Sequence, residues 1–361
     1  MAHDPEHGPT SRRVAFTRQP IVAMPKSGRM RWLRSMYAGA ALLLPIPFVV
    51  WAGIRAVRFG LGVAEFVPFA VMYLVTQLGV TLGYHRYASH RSFRATPTLE
   101  AILLVAGSMA GQGPLIPWVA NHRRHHRFAD QPLDPHSPTV MPSGARAGKA
   151  GGLFHAHVGW TFTHDLSNTP YFCRDLLASS RARFMSRCYL LWLLLSLMVP
   201  AFMGWLLTGN AQGALSGLLW GGFVRFVLAY HATMTVNSLA HVAGSRPFET
   251  RDTSGNVPWL VIPTVGEGWH NNHHAFPSSA YMGLQRGELD PGGFVLSGLA
   301  ALGWIRDAKR PSRTQIEERR RRKSTDEHKQ ARTAGWLAPR EQEACPQVAT
   351  THSDPPLHEK P

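Results

Sequence analysis

The chain has 361 residues, with 38 Lys and Arg against 22 Asp and Glu, a formal net charge of +16, 45% hydrophobic residues and three cysteines. Mean hydropathy is −0.12, yet charge gathers at the ends and in two loops while long apolar runs lie between, which excludes both an ordinary soluble domain and disorder of the middle. Cys173, Cys188 and Cys345 show no paired spacing, which excludes a disulfide framework and a thiolate metal site, whereas the 19 His nearly match all the acidic residues together.

In chain order, residues 1–30 are rich in Pro, Gly, Ser and Arg and lack the apolar run of a secretory signal. They read as a disordered cytoplasmic tail ahead of a membrane domain at 31–305. Four runs reach the roughly 20 apolar residues that a bilayer core demands, at about 37–54, 61–83, 188–207 and 213–233. The connection inside each pair is short, so the expected fold class is an all-α integral membrane protein: four transmembrane helices in two hairpins under a His-rich helical cap. The N-terminus, the loop 84–187 and everything beyond 234 then share one side. Arg12, Arg13, Arg18, Lys26, Arg29, Arg31 and Arg34 precede the first span, while the opposite turn at 209–212 holds no Lys or Arg. That bias makes the shared side cytoplasmic, and a multi-pass protein of the plasma membrane is expected.

The apolar stretch 98–120 contains Gly, Pro, Gln and Ser and reads as one helix lying against or dipping into the bundle. Residues 292–305 are too few to cross. Arg225 falls inside the fourth span, where a charge is expected to face the protein interior. Residues 306–361 open on the charge run Glu317 to Lys323 and stay polar, which reads as a charged, mostly disordered tail, solvated or resting on anionic headgroups. The basic run lacks interleaved aromatics, so no nucleic-acid partner is expected.

Four short windows hold nine of the 19 His: His85 to His90, His122 to His126, Asn237 to His241 and His270 to His274. On a helix, residues three and four apart share a face. His122, His125 and His126 can therefore converge on one point, as can His270, His273 and His274, and Asn237 can meet His241. His85 and His90 are five apart and would diverge on a regular α-helix, so the second span is expected to end or distort between them. All four windows fall at or beyond the same ends of the second and fourth spans. Nine imidazoles exceed the ligand number of one ion, so two metals are implied, and imidazole suits Fe, Zn, Cu and Ni alike.

The strings HRYASH, HRRHH and HNNHH, with NSLAH before the last, resemble the three histidine boxes of integral-membrane fatty-acid desaturases, most like the acyl-CoA delta-9 (stearoyl-CoA) branch. The likeness runs from about Tyr73 to about Asp307 and includes Gly79-Val-Thr-Leu-Gly83, Asp134-Pro135-His136, His157-Val-Gly-Trp160 and Gly266-Glu-Gly-Trp269. The resemblance implies two iron ions held by His85, His90, His122, His125, His126, His241, His270, His273 and His274. It also implies that Asn237 sits beside one metal and acts through water, and that Asp130, Asp134, His157 and Glu267 orient ligand imidazoles from behind. No catalytic residue beyond the metal ligands is implied. With dioxygen and two electrons, such a site removes two hydrogens from adjacent carbons and leaves a cis double bond at carbon 9 of a saturated acyl thioester, fatty acyl-CoA in this branch. Tyr73, Gln77, Gln112 and Trp118 match positions along the acyl tunnel, although Gln77 replaces a smaller residue. Ala120-Asn121 stands where animal enzymes carry Arg-Asp, and Met234 where a Trp is frequent, which puts coenzyme A in question.

Two other readings share part of this signal. A fatty-acid or alkane hydroxylase uses the same scaffold, while the Gly-Glu-Gly-Trp-His string and NSLAH favour desaturation. A metal permease or sensor would place its ligands near the bilayer midplane within broken helices, whereas these His lie at the helix ends. The sequence has neither a Cys cluster nor a dinucleotide fingerprint. The electrons are therefore expected from a separate donor, a ferredoxin-like protein or a b-type cytochrome with its reductase, docking on a basic face beside membrane lipid.

Overall fold

The computed structural model describes residues 22–24, 28–141, 143–163 and 165–320. The expectations for 1–21 and 321–361 lie outside these residues. Four helices are long and apolar enough to cross a membrane, Ser35–Phe59, Val63–Ser89, Tyr189–Thr208 and Ala211–Leu239. The first, second and fourth exceed their sequence expectations, because those helices continue past their apolar cores: the second and fourth carry polar and His-bearing turns that hydropathy alone trims away. In the first, Gly28–Leu43 breaks before Pro45–Phe59, where Pro45 lacks the N–H to continue the ladder. The turns between partners are short, and Gly209 ends the third span in the left-handed conformation at φ 71°, a glycine helix end.

The spans are not equivalent. The apolar stretches of the first and third are 11% and 17% buried, against 50% and 67% for the second and fourth. The second and fourth therefore form the inner pair, and the outer two present Val50, Trp51, Leu190 and Phe202 outward, where hydrocarbon would meet them. Arg225 is fully buried and donates to Gly221 O, Met109 O and both Ser196 O and Ser196 Oγ. Its charge is met by oxygens from three elements, so it fastens the third and fourth spans to the helix Pro97–Met109.

The expected single helix over 98–120 is two helices, Pro97–Met109 and Leu115–Phe128. Between them Gly111 and Gly113 take φ of 75° and 106° and Pro114 follows, which ends one helix and starts the next. Pro97–Met109 lies against the second and third spans, as expected of the stretch, and Leu115–Phe128 carries the second box into the cap. The ends expected as tails are partly built into it: Ala23–Met24 pairs antiparallel with Leu166–Ser167, and Arg94–Ala95 with Ile305–Arg306. Residues 313–320 are helical, with Ile316 packed on Phe248, Ala275 and Leu284. The helix Pro291–Ala301 stops short of a span, as its length dictates.

The element that aims the site is the end of the second span, which is π-helical over Gly79–Ser89. It crosses Pro97–Met109 so closely that a Cβ on Gly79 would lie 2.2 Å from Gly107 N, and one on Gly83 2.5 Å from Leu103 O. Small residues four apart allow such backbone contact between membrane helices. Replacing Gly83 by Val should overpack this crossing and destabilise the fold by about 1–3 kcal/mol. A thermal melt in detergent checks this, and an unchanged midpoint would show that the crossing is not as tight as its backbone implies.

Candidate metal centre

The π-helix resolves the spacing problem of the first box. His90 N donates to His85 O at 3.1 Å, an i to i+5 closure that an α-helix does not make. The wider turn brings residues five apart onto one side, and the rings of His85 and His90 stand 4.9 Å apart. The expected distortion is present, and it joins the two imidazoles instead of parting them.

The second and third boxes do not each gather at one point. Ligand atoms fall into two groups, a part-buried one of His85, His90, His122, His126 and His273 and a buried one of His125, His241, His270 and His274, each within 4.8 Å throughout. From Leu115–Phe128, the pair four apart, His122 and His126, enters the first group and His125 the second. From His270–Ala275 the pair four apart, His270 and His274, enters the second and His273 the first. The helical step of about 100° per residue explains the split: neighbours 125 and 126, or 273 and 274, cannot face one point. His126 nonetheless stacks on His274 at 4.5 Å, so the groups abut.

Within the groups the Nε2 atoms face one another. His85 and His273 are 3.0 Å apart, His273 and His126 2.8 Å, His90 and His122 2.7 Å, His241 and His270 2.9 Å, and His125 and His274 3.4 Å. Four rings are fixed from behind through Nδ1: His85 by Glu267 at 2.7 Å, His125 by Asp134 at 3.0 Å, His241 by Asp130 at 3.0 Å and His274 by Asp252 at 2.8 Å. A carboxylate there holds the Nδ1 proton and leaves Nε2 a lone pair. His125 and His274 thus point two lone pairs at each other, a repulsive arrangement that a cation would reverse. Ligand nitrogens about 2.0–2.1 Å from an ion would be about 3 Å apart at right angles, which these separations match. The donor set therefore fits one transition-metal ion per group.

Protonation favours the same end. Burial, reinforced by neighbouring His, drives the imidazolium forms of His90, His122, His126, His270 and His273 well below the usual histidine range. Burial also pulls His274 down to about 4 against the opposing pull of Asp252. For Asp134 burial opposes ionisation, but positive charge on His125 prevails and its carboxyl falls to about 2. Asp134 thus favours positive charge on His125, whether from a second proton or from a metal.

The two arginines inside HRRHH brace the site. Arg123 donates to Ala88 O, Ser89 O, Phe172 O and Asp175, and Arg124 to Leu133 O and Asp165 O. A narrow cavity lined by Gln77, Val80, Thr81, Trp118, Thr233, Val236, Asn237 and Thr264 ends on His85, His122, His270 and Glu267. It therefore touches both groups. Of the four expected tunnel residues, Gln77 and Trp118 line it. Tyr73 and Gln112 stand behind: Tyr73 Oη and Gln77 Nε2 both donate to Pro263 O, and Gln112 joins Trp118 to Thr233.

One expectation is corrected. His157 touches no box histidine; it pairs with Ser238 Oγ at 3.1 Å and His231 Nδ1 at 3.0 Å, because the π-helical turn His155–Gly159 packs along the fourth span. Its sequence neighbours matched, but neighbours along the chain do not set which ring a side chain meets. Two residues went unassigned. Asp252 lies in a loop 11 residues past His241 and reaches His274 because it accepts from Ser254 N, Ser254 Oγ and Thr250 Oγ1. Its Ser and Thr neighbours in sequence read as an ordinary turn. His136 stacks on His125 at 4.3 Å; the Asp134-Pro135-His136 string drew the eye to the acid alone.

Comparison with known proteins agrees with the geometry. Residues 61–288 match the fatty acid desaturase family. A hex-5-enoyl-[acyl-carrier protein] acetylenase of Moorena producens is 39% identical over 276 residues, 76% of this chain and 84% of that protein. Delta-9 acyl-lipid desaturase 1 of Arabidopsis thaliana is 37% identical, covering 68% of this chain and 75% of its own length. The sn-1 stearoyl-lipid 9-desaturase of Synechocystis sp. is 35% identical, covering 68% and 71%. The family match spans the boxes, the inner spans and the carboxylates behind them, and this chain belongs to the fatty acid desaturase family.

Proposed function

We propose that the protein is a dioxygen-dependent di-iron desaturase that places a cis double bond at carbon 9 of a saturated acyl chain, with the nine box histidines as iron ligands. The observation that carries this reading is the convergence of nine inward-facing imidazoles on two adjacent points at the end of one narrow cavity. Iron, when bound, supplies the activation of dioxygen that no side chain can provide, since an unactivated methylene has no acidic proton. The overall balance is one saturated chain, dioxygen, two electrons and two protons going to one unsaturated chain and two waters. A separate donor provides the electrons.

The residues do the remaining work. Val80, Val236 and the Trp118 ring give the cavity apolar surface for a methylene chain, and Trp118 stacks on His122 at 5.3 Å, which sets how near the chain can approach that group. Asn237 borders the cavity beside His270 and is suited to hold a water there. Gln77, tied to Pro263 O, closes off depth at the second span. In this reading the active site faces the cytoplasm, and the chain reaches it from the plasma-membrane leaflet in which the spans sit.

The carrier in this reading is a membrane lipid rather than coenzyme A. Two of the relatives above act on lipid-linked chains by name, and Ala120-Asn121 and Met234 depart from the coenzyme A branch. Asn121 Oδ1 is occupied by Ser167 Oγ at 2.8 Å.

Expressed with a suitable electron donor, the protein should yield a new cis-monoene, located by mass spectrometry with double-bond assignment and found in the lipid fraction. His125→Ala and His273→Ala should each abolish the product and lower bound iron. A hydroxylated product from an iron-loaded protein would assign the hydroxylase reaction instead, and product confined to the coenzyme A pool would overturn the carrier. Gln77→Ala, by opening the cavity at its floor, should shift the products toward longer chains; an unchanged chain-length profile would remove Gln77 from the tunnel.

A further inference from the structure

The two histidine groups differ in what stands behind their rings. In the four-histidine group three rings rest on carboxylates, His125 on Asp134, His241 on Asp130 and His274 on Asp252. In the five-histidine group His85 alone does, on Glu267. Among the described residues, no carboxylate meets His90, His122, His126 or His273; His273 Nδ1 is buried without a partner, as is Nδ1 of His270, the fourth ring of the other group.

The balance of charge widens the difference. Glu267 Oε1 faces Arg86 Nε at 3.7 Å, and the far side of that guanidinium is held by Asp290. Arg123, beside His122, adds a cation paired with Asp175. The aspartates of the other group accept from neutral donors. Asp130 takes Thr253 N, Thr253 Oγ1 and Ser137 Oγ; Asp134 takes Asp130 N and His136 N; Asp252 takes Ser254 N, Ser254 Oγ and Thr250 Oγ1. Arg124, whose charge Asp134 feels, gives its hydrogen bonds to the carbonyls of Leu133 and Asp165, and Arg246 gives bonds to the carbonyls of Asp252 and Ser254. Neutral donors keep a carboxylate ionised without cancelling its charge.

A carboxylate on Nδ1 makes Nε2 a stronger donor, and buried charges are weakly screened. Three such carboxylates therefore stabilise a cation more than one that shares its charge with an arginine. We infer that the four-histidine position is the tighter metal site and the one that favours the higher ionic charge, with Asp252 as a positioning residue that sets this through His274. The inference rests on the two-metal reading above.

The test is an anaerobic titration of the metal-free full chain in detergent with ferrous iron, followed by Mössbauer spectroscopy of 57Fe-loaded samples. Two steps of one ion each are expected. His270→Ala should remove the tight step and His90→Ala the weak one. Asp252→Asn should weaken the tight step by about 10–100-fold and leave the other, Asp252→Glu should restore it, and Glu267→Gln should act on the weak step alone. On partial oxidation the ferric signal should appear in the component that Asp252→Asn perturbs. Two equal steps, or an Asp252→Asn effect on the step that His90→Ala removes, would overturn the inference and leave the two-metal reading standing. Uptake of fewer than two ions by the parent chain would overturn both. Thermal melts of each variant separate a lost fold from a lost site, and the Asp252→Glu rescue keeps the result decisive if Asp252→Asn proves unstable.

Discussion

Everything in this fold answers to one constraint: nine imidazoles must hold their Nε2 lone pairs toward two adjacent points inside a buried site. Facing lone pairs repel, and burial denies them water. The arrangement persists because it is held from outside, by carboxylates on four Nδ1 atoms and by backbone that cannot relax. Arg123 and Arg124 hold carbonyls of the first box and of the cap loops. Asn256 accepts from the N–H groups of Asn271 and Asn272, which fixes the start of the third-box helix. Ordering the ligands during folding makes later metal capture cheaper in entropy than gathering them from a mobile chain.

The membrane part is shaped by the same demand. Only the inner spans deliver ligands, His85 from the second and His241 just past the fourth, and these are the two whose packing is most buried. Their rotation must be fixed to within a fraction of a turn, since a helix turned by one residue would swing its ligand by about 100°. The Gly79 and Gly83 crossing sets the rotation of the second span, and Arg225 sets the fourth by joining it to Ser196 and Met109. A charge buried without a carboxylate partner is costly. Here its several oxygen partners make it a fastening tied to one relative placement of three helices.

Much of this was legible in the chain. Hydropathy located the four spans, and the triads of His located helices that carry ligands on one face. The five-residue gap between His85 and His90 announced a distortion, although not its kind, because Gly79 and Gly83 permit both an end and a π-turn. What could not be read was the sorting of ligands between the two points. Spacings of three and four are both neighbours on a helix, and only the partner helix decides whether His125 joins His122 or His274. Asp252 was invisible for a related reason. Its role comes from where a polar loop lands, and a loop's landing depends on contacts far away in sequence.

The way the boxes are shared has its own consequence. The second-box helix gives two ligands to one position and one to the other, and the third-box helix does the reverse. Neither position can shift without moving a helix that also serves its neighbour, and the stacked rings of His126 and His274 make the two groups one packed unit. A cation filling one position would stiffen the helices that form the other, which would lower the ordering cost for a second even as its charge repels. Reciprocal sharing and unequal carboxylate support act in different directions. Sharing binds the pair into one rigid centre, while the three aspartates behind His125, His241 and His274 keep its two halves electrically distinct. In the proposed reaction, which takes two hydrogens from neighbouring carbons, such a centre would give a fixed distance to the chain and two positions that need not hold the same charge at the same moment.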